Sequence, residues 1–452
     1  MIQMTLAQAS EVLDGVLRGE DRQFVGVSTD TRSLASDAVF FALKGPRFDG
    51  HEMLEQAREK GAVGAVVSRP VAIPFPQIVV PETRSSLGIL ARAWRQKFPI
   101  PVIAVTGSAG KTTVKEMIGA IVGRTHNALV GAGNFNNDIG LPQNLFLLSS
   151  EHSMAVLEMG ANRAGDIAHL CSVALPEIAV LTLCAPAHLE GFGDLDSVAR
   201  AKGEIVTSLP EHGTAVLNSD DPYFDLWMEM AGSRAVLPFG SRGRVRAENV
   251  TLSASGVTFT LCVDEARAQI RLSHSGQHNV ANALAAAAAA TAAGISLPDI
   301  AAGLAAAAPV NGRLQERRGV HGALLIDDTY NANPASLKAA LAVLGLRDGA
   351  RWLVFGDMRE LGDAAEAFHF AAGEDAEAAG VEQIFSLGEL AAHAAAGFSG
   401  TFHRCANADE LIGRLTEALN TAESPPTVLL KGSRSMFLDR VADAIALEGR
   451  PC

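Results

Sequence analysis

Val102-Ile-Ala-Val-Thr-Gly-Ser-Ala-Gly-Lys-Thr-Thr-Val114 decides how this chain reads. Its β-branched opening predicts a buried strand, Thr106 to Gly110 a tight turn of small residues, and Lys111-Thr112-Thr113 the first turn of a helix. In such a layout backbone N–H groups and a helix N-terminus face an anion, the lysine reaches the terminal phosphates, and the next hydroxyl is placed for Mg²⁺. The usual nucleotide-loop pattern has a glycine six residues before the lysine, where this chain has Val105. A glycine-rich turn alone can be purely structural. The Gly-Lys-Thr-Thr ending makes Gly107, Ser108, Ala109, Gly110, Lys111, Thr112 and Thr113 a candidate triphosphate cradle.

Around this loop, strand-like runs recur at 153–158, 177–182 and 214–218 with helical patterns between them, the alternation of a parallel βαβ sheet. From 250 to 272 the pattern is that of antiparallel strands, and an alanine-rich helix follows His278-Asn279. The alternation restarts with strands at 323–327, 352–355, 383–387 and 428–431. Ahead of the loop lie an opening helix, strands at 38–43 and 62–67, and prolines 70, 74, 76 and 81, which read as an exit linker. The expected fold is α/β in three domains: a small N-terminal α/β domain at 1–83, a central parallel-sheet domain with the ATPase-like phosphate loop at 84–312, and a C-terminal Rossmann-like domain at 313–452.

The formal charge of −13, with lysine and arginine scattered, argues against a nucleic-acid surface. Five cysteines with no C-x-x-C spacing point to a reducing compartment without disulfides or structural zinc. The opening residues lack a basic start and apolar core, and the most apolar segment is nearly all alanine, so the expectation is a cytoplasmic chain with no membrane insertion. Monomer is the default expectation.

Ligands of open parallel sheets gather at the carboxyl ends of strands, where apolar runs give way to polar residues. Glu158 closes one strand and offers a hard oxygen for Mg²⁺; otherwise it is an ordinary solvent-facing glutamate. His188, between glycine turns just past another strand end, can be structural or a ligand. Lys202 lies on a helix that Pro210 terminates, either ion-paired at the surface or functional. The neighbouring Gly203 weakens that helix by about 1 kcal/mol relative to alanine, which suggests a packing reason. Asn134, Asn136 and Asn137 crowd one turn, a role asparagine also fills for purely local reasons. Arg313 could clamp a phosphate across a domain cleft, and Asp328 could hold a ribose hydroxyl.

In order along the chain, the phosphate loop, Glu158, His188, Ala201-Lys202, His278-Asn279 with Asn282, Gly312-Arg313 and Asp328 resemble the Mur ligases, the ATP-dependent amide-forming enzymes of peptidoglycan precursor synthesis. The likeness spans essentially the whole chain. Stretches 28–32, 43–51, 133–140, 188–193, 327–334, 356–362 and 431–436 look most like the members that add D-alanyl-D-alanine to UDP-N-acetylmuramoyl-tripeptide, and the Asp-Asn-Pro-Arg string of diaminopimelate-adding members is absent. The resemblance implies that Lys111 and Thr112 bind ATP phosphates and Mg²⁺, with Glu158 a further metal ligand. His188 and Lys202 would hold a second Mg²⁺, Lys202 as its carbamate. Asn279 and Asn282 would face the adenine, Arg313 the γ-phosphate and Asp328 the ribose, with Tyr330 among the cofactor-binding residues. Thr31, Arg32, Lys44 and Gly45 would hold the UDP-sugar, Asn134, Asn136, Asn137 and Asn331 other parts of the substrates, and Ser433 and Arg434 the dipeptide. The implied reaction runs through an acyl phosphate, with Lys111, His188, Lys202 and Arg313 as its catalytic set. A diaminopimelate- or lysine-adding ligase and a folylpolyglutamate synthase-like ligase are the enzymatic alternatives. A non-catalytic ATP-binding scaffold is the other, though it would have no use for metal ligands.

Overall fold

The computed structural model describes residues 1–46, 48–186 and 189–447. Val102–Thr106 lies inside a nine-stranded sheet, and all five of its residues are buried. A strand covered on both faces has no need to alternate, so it reads as an unbroken apolar run. Val105, where a longer loop would have its first glycine, is still within this strand, and the turn begins only at Gly107.

The strand pairs in parallel with Met154–Glu158 on one side and Ile178–Leu181 on the other, so that Val105 stands opposite both Glu158 and Val180. Ala128–Val130 lies beyond the first neighbour, Thr214–Asn218 and Ala235–Phe239 beyond the second. The chain completes one side of the sheet at Glu158 and then crosses to the other, so strand order reverses at Val102–Thr106. Open parallel sheets form their ligand crevice at such a reversal. Val245–Ser253, Gly256–Val263 and Ala266–Leu272 extend the sheet as an antiparallel ribbon, as the alternation over 250–272 predicts.

The Lys111–Val122 helix packs against Gln277–Ala292 and Leu297–Ala306. Ala283 to Ala290 are all buried, the small side chains allowing helix and sheet to approach closely. No helix among the described residues is long and apolar enough to cross a membrane. Leu195–Thr207 carries Lys202, and a Cβ on Gly203 would meet the Met230 thioether at 2.5 Å, which supplies the packing reason for a mid-helix glycine.

The C-terminal sheet has six strands. Leu324–Asp328, Thr427–Lys431, Arg351–Gly356, Gln383–Leu387 and Thr401–Cys405 run parallel in that spatial order, and Gln315–Arg318 pairs antiparallel at one edge. Thr401–Cys405 is missing from the sequence reading because it is the opposite edge: largely solvent-facing and polar, it carries no apolar run. In the N-terminal sheet, Gln77–Val79 lies within the segment expected to be linker. Pro76 and Pro81 flank this strand without interrupting it, and it pairs with both Gly64–Val67 and Val16–Arg18. Cys171, Cys184, Cys262 and Cys405 are all unpaired.

Candidate active site

A cleft of about 1450 Å³ opens at the carboxyl ends of the central strands and is closed on its far side by residues of the C-terminal sheet. The phosphate loop forms its floor. Gly107 and Gly110 have φ of +143° and +82°. A Cβ at Gly107 would stand 1.9 Å from the Thr182 hydroxyl, and one at Gly110 would stand 2.4 Å from Asn282 Oδ1. Both positions therefore need glycine for conformation and for space. Thr182 Oγ1 donates to the Ala109 carbonyl at 2.6 Å and the Ser108 N–H to Leu183 O at 2.9 Å, tying the loop to the adjacent strand end. Lys111 Nζ folds back to Gly107 O at 2.8 Å.

Thr112 and Glu158 meet because their strand and helix are neighbours: Thr112 Oγ1 donates to Glu158 Oε2 at 2.6 Å. The other carboxylate oxygen accepts from Asn136 Nδ2 at 2.7 Å. The loop that carries Asn136 is held in turn by the wholly buried Lys115, which donates to Gly131 O and Gly133 O. From the C-terminal side Arg313 donates to Thr112 Oγ1 at 2.8 Å, across 201 positions of sequence. Its guanidinium lies 4.1 Å from the centre of the Tyr330 ring, a cation–π contact that fixes its direction. The lysine of the loop and the arginine of the far wall thus converge.

Lys202 is 2% exposed, and among the described residues its Nζ has one hydrogen bond, 3.3 Å to Ala161 O. Burial, aided by the charge of Lys111, pushes its pKa down to about 7. Lys111 is also lowered, by burial first, with Glu158 and Arg313 acting in opposite directions. Lys111 therefore has both the Glu158 carboxylate and the Arg313 guanidinium as charged neighbours, and the two cations together suit a polyanion.

Asp328 accepts from the Leu314 N–H at 3.2 Å and pairs with Lys431, whose Nζ also reaches Asn331 O at 2.9 Å. Burial raises the Asp328 carboxyl and the Lys431 charge opposes this. Asn279 and Asn282 are linked by a 2.9 Å hydrogen bond and line the cleft.

Ser108, Ala109, Gly110, Lys111, Thr113, Asn134, Asn136, Asn137, Glu158, Lys202, Asn279, Asn282, Arg313, Asp328, Tyr330 and Asn331 all line this cleft, with Gly107 and Thr112 directly behind. Asn137 is also committed locally, its carbonyl oxygen accepting from the backbone of Ile139 and Gly140. Thr31, Arg32, Lys44 and Gly45 lie elsewhere, on the N-terminal unit. Thr31 Oγ1 donates to Gln56 Oε1 at 2.7 Å and Arg32 is paired with Asp30 at 2.6 Å. Ser433 and Arg434 are not among the cleft-lining residues: Ser433 Oγ accepts from the Arg359 N–H and Arg434 pairs with Asp439. His188 lies outside the described residues. The sequence reading missed Lys431 and also Arg84, Arg163, His169 and His274, all of which line the cleft. Arg84 forms a two-point ion pair with Asp138, joining the Thr83–Arg95 helix to the asparagine turn.

Magnesium in phosphate-transfer sites takes one or two protein oxygens and completes its shell with phosphate and water. A hydroxyl and a carboxylate 2.6 Å apart at a phosphate loop fit that demand. No cluster of three or more His, Cys, Asp and Glu that could enclose a metal occurs among the described residues.

Comparison with known proteins agrees along the chain. The Mur ligase family catalytic domain matches residues 23–120, the Mur ligase middle domain 105–290, and the Mur ligase glutamate ligase domain 312–434. The UDP-N-acetylmuramoyl-tripeptide–D-alanyl-D-alanine ligase of Escherichia coli K12 is 44% identical, covering 99% of this chain and 100% of that one. A crystal structure of MurF from Acinetobacter baumannii superposes with a TM-score of 0.93 at 35% identity, covering 98% of this chain and 99% of the other. MurF from Thermotoga maritima in complex with ADP gives 0.81 at 29% identity, covering 93% and 96%.

Proposed function

The chain belongs to the Mur ligase family, and from that we propose that it is the ATP-dependent ligase joining D-alanyl-D-alanine to UDP-N-acetylmuramoyl-tripeptide in peptidoglycan precursor synthesis. Its reactants are small molecules, ATP is consumed, and Mg²⁺ is required. The geometric observation that best supports the reading is the 2.8 Å bond from Arg313 to Thr112, which sets a C-terminal cation against the hydroxyl of the phosphate loop.

We assign 1–83 to the UDP-sugar, with Thr31, Arg32, Lys44 and Gly45 as its contacts, 84–312 to ATP, and 313–452 to completing the ligase site. Lys111 and the loop N–H groups hold the β- and γ-phosphates, and Arg313 the γ-phosphate. Asn279 and Asn282 lie towards the base, and Asp328 with Tyr330 towards the ribose. Thr112 and Glu158 would hold one Mg²⁺, and His188 with the Lys202 carbamate a second. Bound there, the metal adds positive charge where two anions must meet. A lysine amine with pKa near 7 has the free electron pair that attacks CO₂, releasing a proton as the carbamate forms.

The tripeptide's terminal carboxylate and the γ-phosphate repel each other in water. Lys111 and Arg313 offset that repulsion from fixed positions, with no reorganisation needed as charge develops. A carboxylate oxygen attacks the γ-phosphorus and ADP leaves. The dipeptide's free amine then attacks the acyl carbon, and the tetrahedral adduct expels phosphate and loses a proton to give the amide. Because the two cations come from opposite walls of the cleft, its closure gates the chemistry. We place the enzyme in the cytoplasm as a monomer.

The test is phosphate release from ATP with UDP-muramoyl-tripeptide, offering D-Ala-D-Ala, diaminopimelate, lysine or glutamate in turn. Turnover only with D-Ala-D-Ala is expected. Turnover with another amine would reassign the chain within the family, and none with any of them would favour an ATP-binding scaffold.

A further inference from the structure

Arg347 follows the Pro334–Leu344 helix of the C-terminal unit, and its side chain is 11% exposed. One guanidinium nitrogen, Nη2, donates both to Glu316 on the Gln315–Arg318 strand and to the Ala254 carbonyl. Ala254 belongs to the other wall. It lies in the turn between Val245–Ser253 and Gly256–Val263, in the antiparallel ribbon of the central sheet. The same carbonyl accepts from Ser275 Oγ at 2.6 Å, and Ser275 O accepts from Asn279 Nδ2 at 2.9 Å. Asn279 in turn accepts from Asn282, which abuts Gly110 of the phosphate loop. On the C-terminal side, Glu316 stands three residues past Arg313. An unbroken line of contacts therefore runs from the phosphate loop through Arg347 to the strand that Arg313 leads into.

Two features mark this contact as a fixed point between the walls. Gly276 packs directly on the Pro334–Leu344 helix, where a Cβ would stand 2.7 Å from Val343 Cγ2, so the surfaces beside Arg347 already touch closely. Arg347 Nε is buried with no hydrogen-bond partner among the described residues. The side chain thus forgoes one hydrogen bond to keep the other two, which a freely solvated arginine would have no reason to do. The Arg313–Thr112 bond also joins the walls, but the reading above commits both of those groups to the nucleotide and its metal. None of Arg347, Glu316 and Ala254 lines the cleft, so a nucleotide bound there leaves their bonds intact.

We propose that Arg347 is a positioning residue for phosphoryl transfer: by holding the Ala254 carbonyl and Glu316 together it fixes the pivot about which the cleft closes, and so sets where Arg313 meets the triphosphate. The proposal rests on the reading above in which Arg313 faces the γ-phosphate, and adds the residue that aims it. A misplacement of about 1 Å caused far from the chemistry can cost about a hundredfold in rate, so slight slack at the pivot is felt at the phosphate.

The experiment is calorimetric titration of the full chain, in Mg²⁺ and without acceptor peptide, with ADP and with the non-hydrolysable adenosine 5′-(β,γ-imido)triphosphate. The ratio of the two affinities reports what the γ-phosphate adds. In Arg313→Ala this ratio should fall about tenfold, about 1.4 kcal/mol. Arg347→Met should lower it about threefold or more while ADP affinity stays within about twofold of wild type. Arg347→Lys, which keeps a cation for the Ala254 carbonyl, should retain part of the preference. The double variant Arg313→Ala with Arg347→Met should fall no further than Arg313→Ala alone. Glu316→Ala, at a side chain 43% exposed, removes the guanidinium's other anchor and should move the ratio the same way, which keeps the test decisive if Arg347→Met does not fold. A residue that only stabilised the fold would weaken both nucleotides together and leave the ratio as it was, and that result overturns the proposal. So does a multiplicative loss in the double variant. A ratio unmoved by Arg313→Ala would remove the γ-phosphate assignment and the proposal with it. Because turnover is never read, failure of the ligase reading would show separately, as nucleotide binding without phosphate release.

Discussion

Lys202→Met should make the protein more stable while destroying its activity. The wild-type amine is 2% exposed and, among the described residues, has a single 3.3 Å hydrogen bond and no ion pair with a carboxylate. Its pKa falls from the 10.5 of a free lysine to about 7, chiefly through burial. At 1.36 kcal/mol per tenfold change in proton affinity, that difference corresponds to a penalty of roughly 4–5 kcal/mol against the folded state. The sign follows from proton counts. Between pH 7 and 10.5 the unfolded chain binds the proton that the folded chain has lost, so wild-type stability rises with pH through that window. Below pH 7 the penalty is fully present, and above 10.5 it is gone. Methionine fills a similar volume without charge, so the gain in unfolding free energy should be largest at pH 6, several kcal/mol, and should shrink towards zero by pH 10.5. Urea unfolding across this range in bicarbonate-free buffer measures it, with phosphate release in parallel. A variant equally stable or less stable than wild type at pH 6 would refute the reasoning, since it would mean the amine is solvated or paired in the folded protein.

Gly110→Ala puts a side chain at φ +82° and within 2.4 Å of Asn282 Oδ1; at a strain of about 1–2 kcal/mol plus the displaced amide, ATP binding should weaken at least tenfold by titration, and unchanged affinity would remove the loop assignment. Lys431→Met leaves Asp328 buried without its cation and should lower stability by about 3–5 kcal/mol in denaturant unfolding, with Asp328→Asn recovering much of the loss in the double variant. Additive losses in that pair would show that the two groups are not coupled. Arg313→Ala should lower kcat at least a hundredfold while leaving calorimetric ADP affinity within a few-fold, because the contact we assign to it is with the γ-phosphate. An equal loss of ADP affinity would move Arg313 off that phosphate.

What could be read before the fold was known is what one segment carries by itself. The strand, glycine turn and lysine of 102–113 announce their purpose locally, and Glu158 follows because a strand end is recognisable from its apolar run. Lys431 could not be found that way. Its role depends on register, Asp328 standing beside Lys431 on paired strands about a hundred residues apart in the chain. The same holds for Arg84 and Asp138, brought together by the packing of the Thr83–Arg95 helix on the asparagine turn. His274 was invisible for another reason: what distinguishes it is the lack of a partner at one buried nitrogen, which no pattern of residue types encodes. The strands at Gln77–Val79 and Thr401–Cys405 were hidden by prolines and by edge exposure respectively.

The central claim is that Lys111 and Arg313 bring a carboxylate and a triphosphate together so that phosphorus passes to the carboxylate before the amine attacks. Labelling the tripeptide's terminal carboxylate with ¹⁸O and measuring the mass of the released phosphate tests this directly. The account predicts one ¹⁸O atom in each phosphate formed with D-Ala-D-Ala present. Unlabelled phosphate, with both labelled oxygens accounted for in product amide and water, would contradict it.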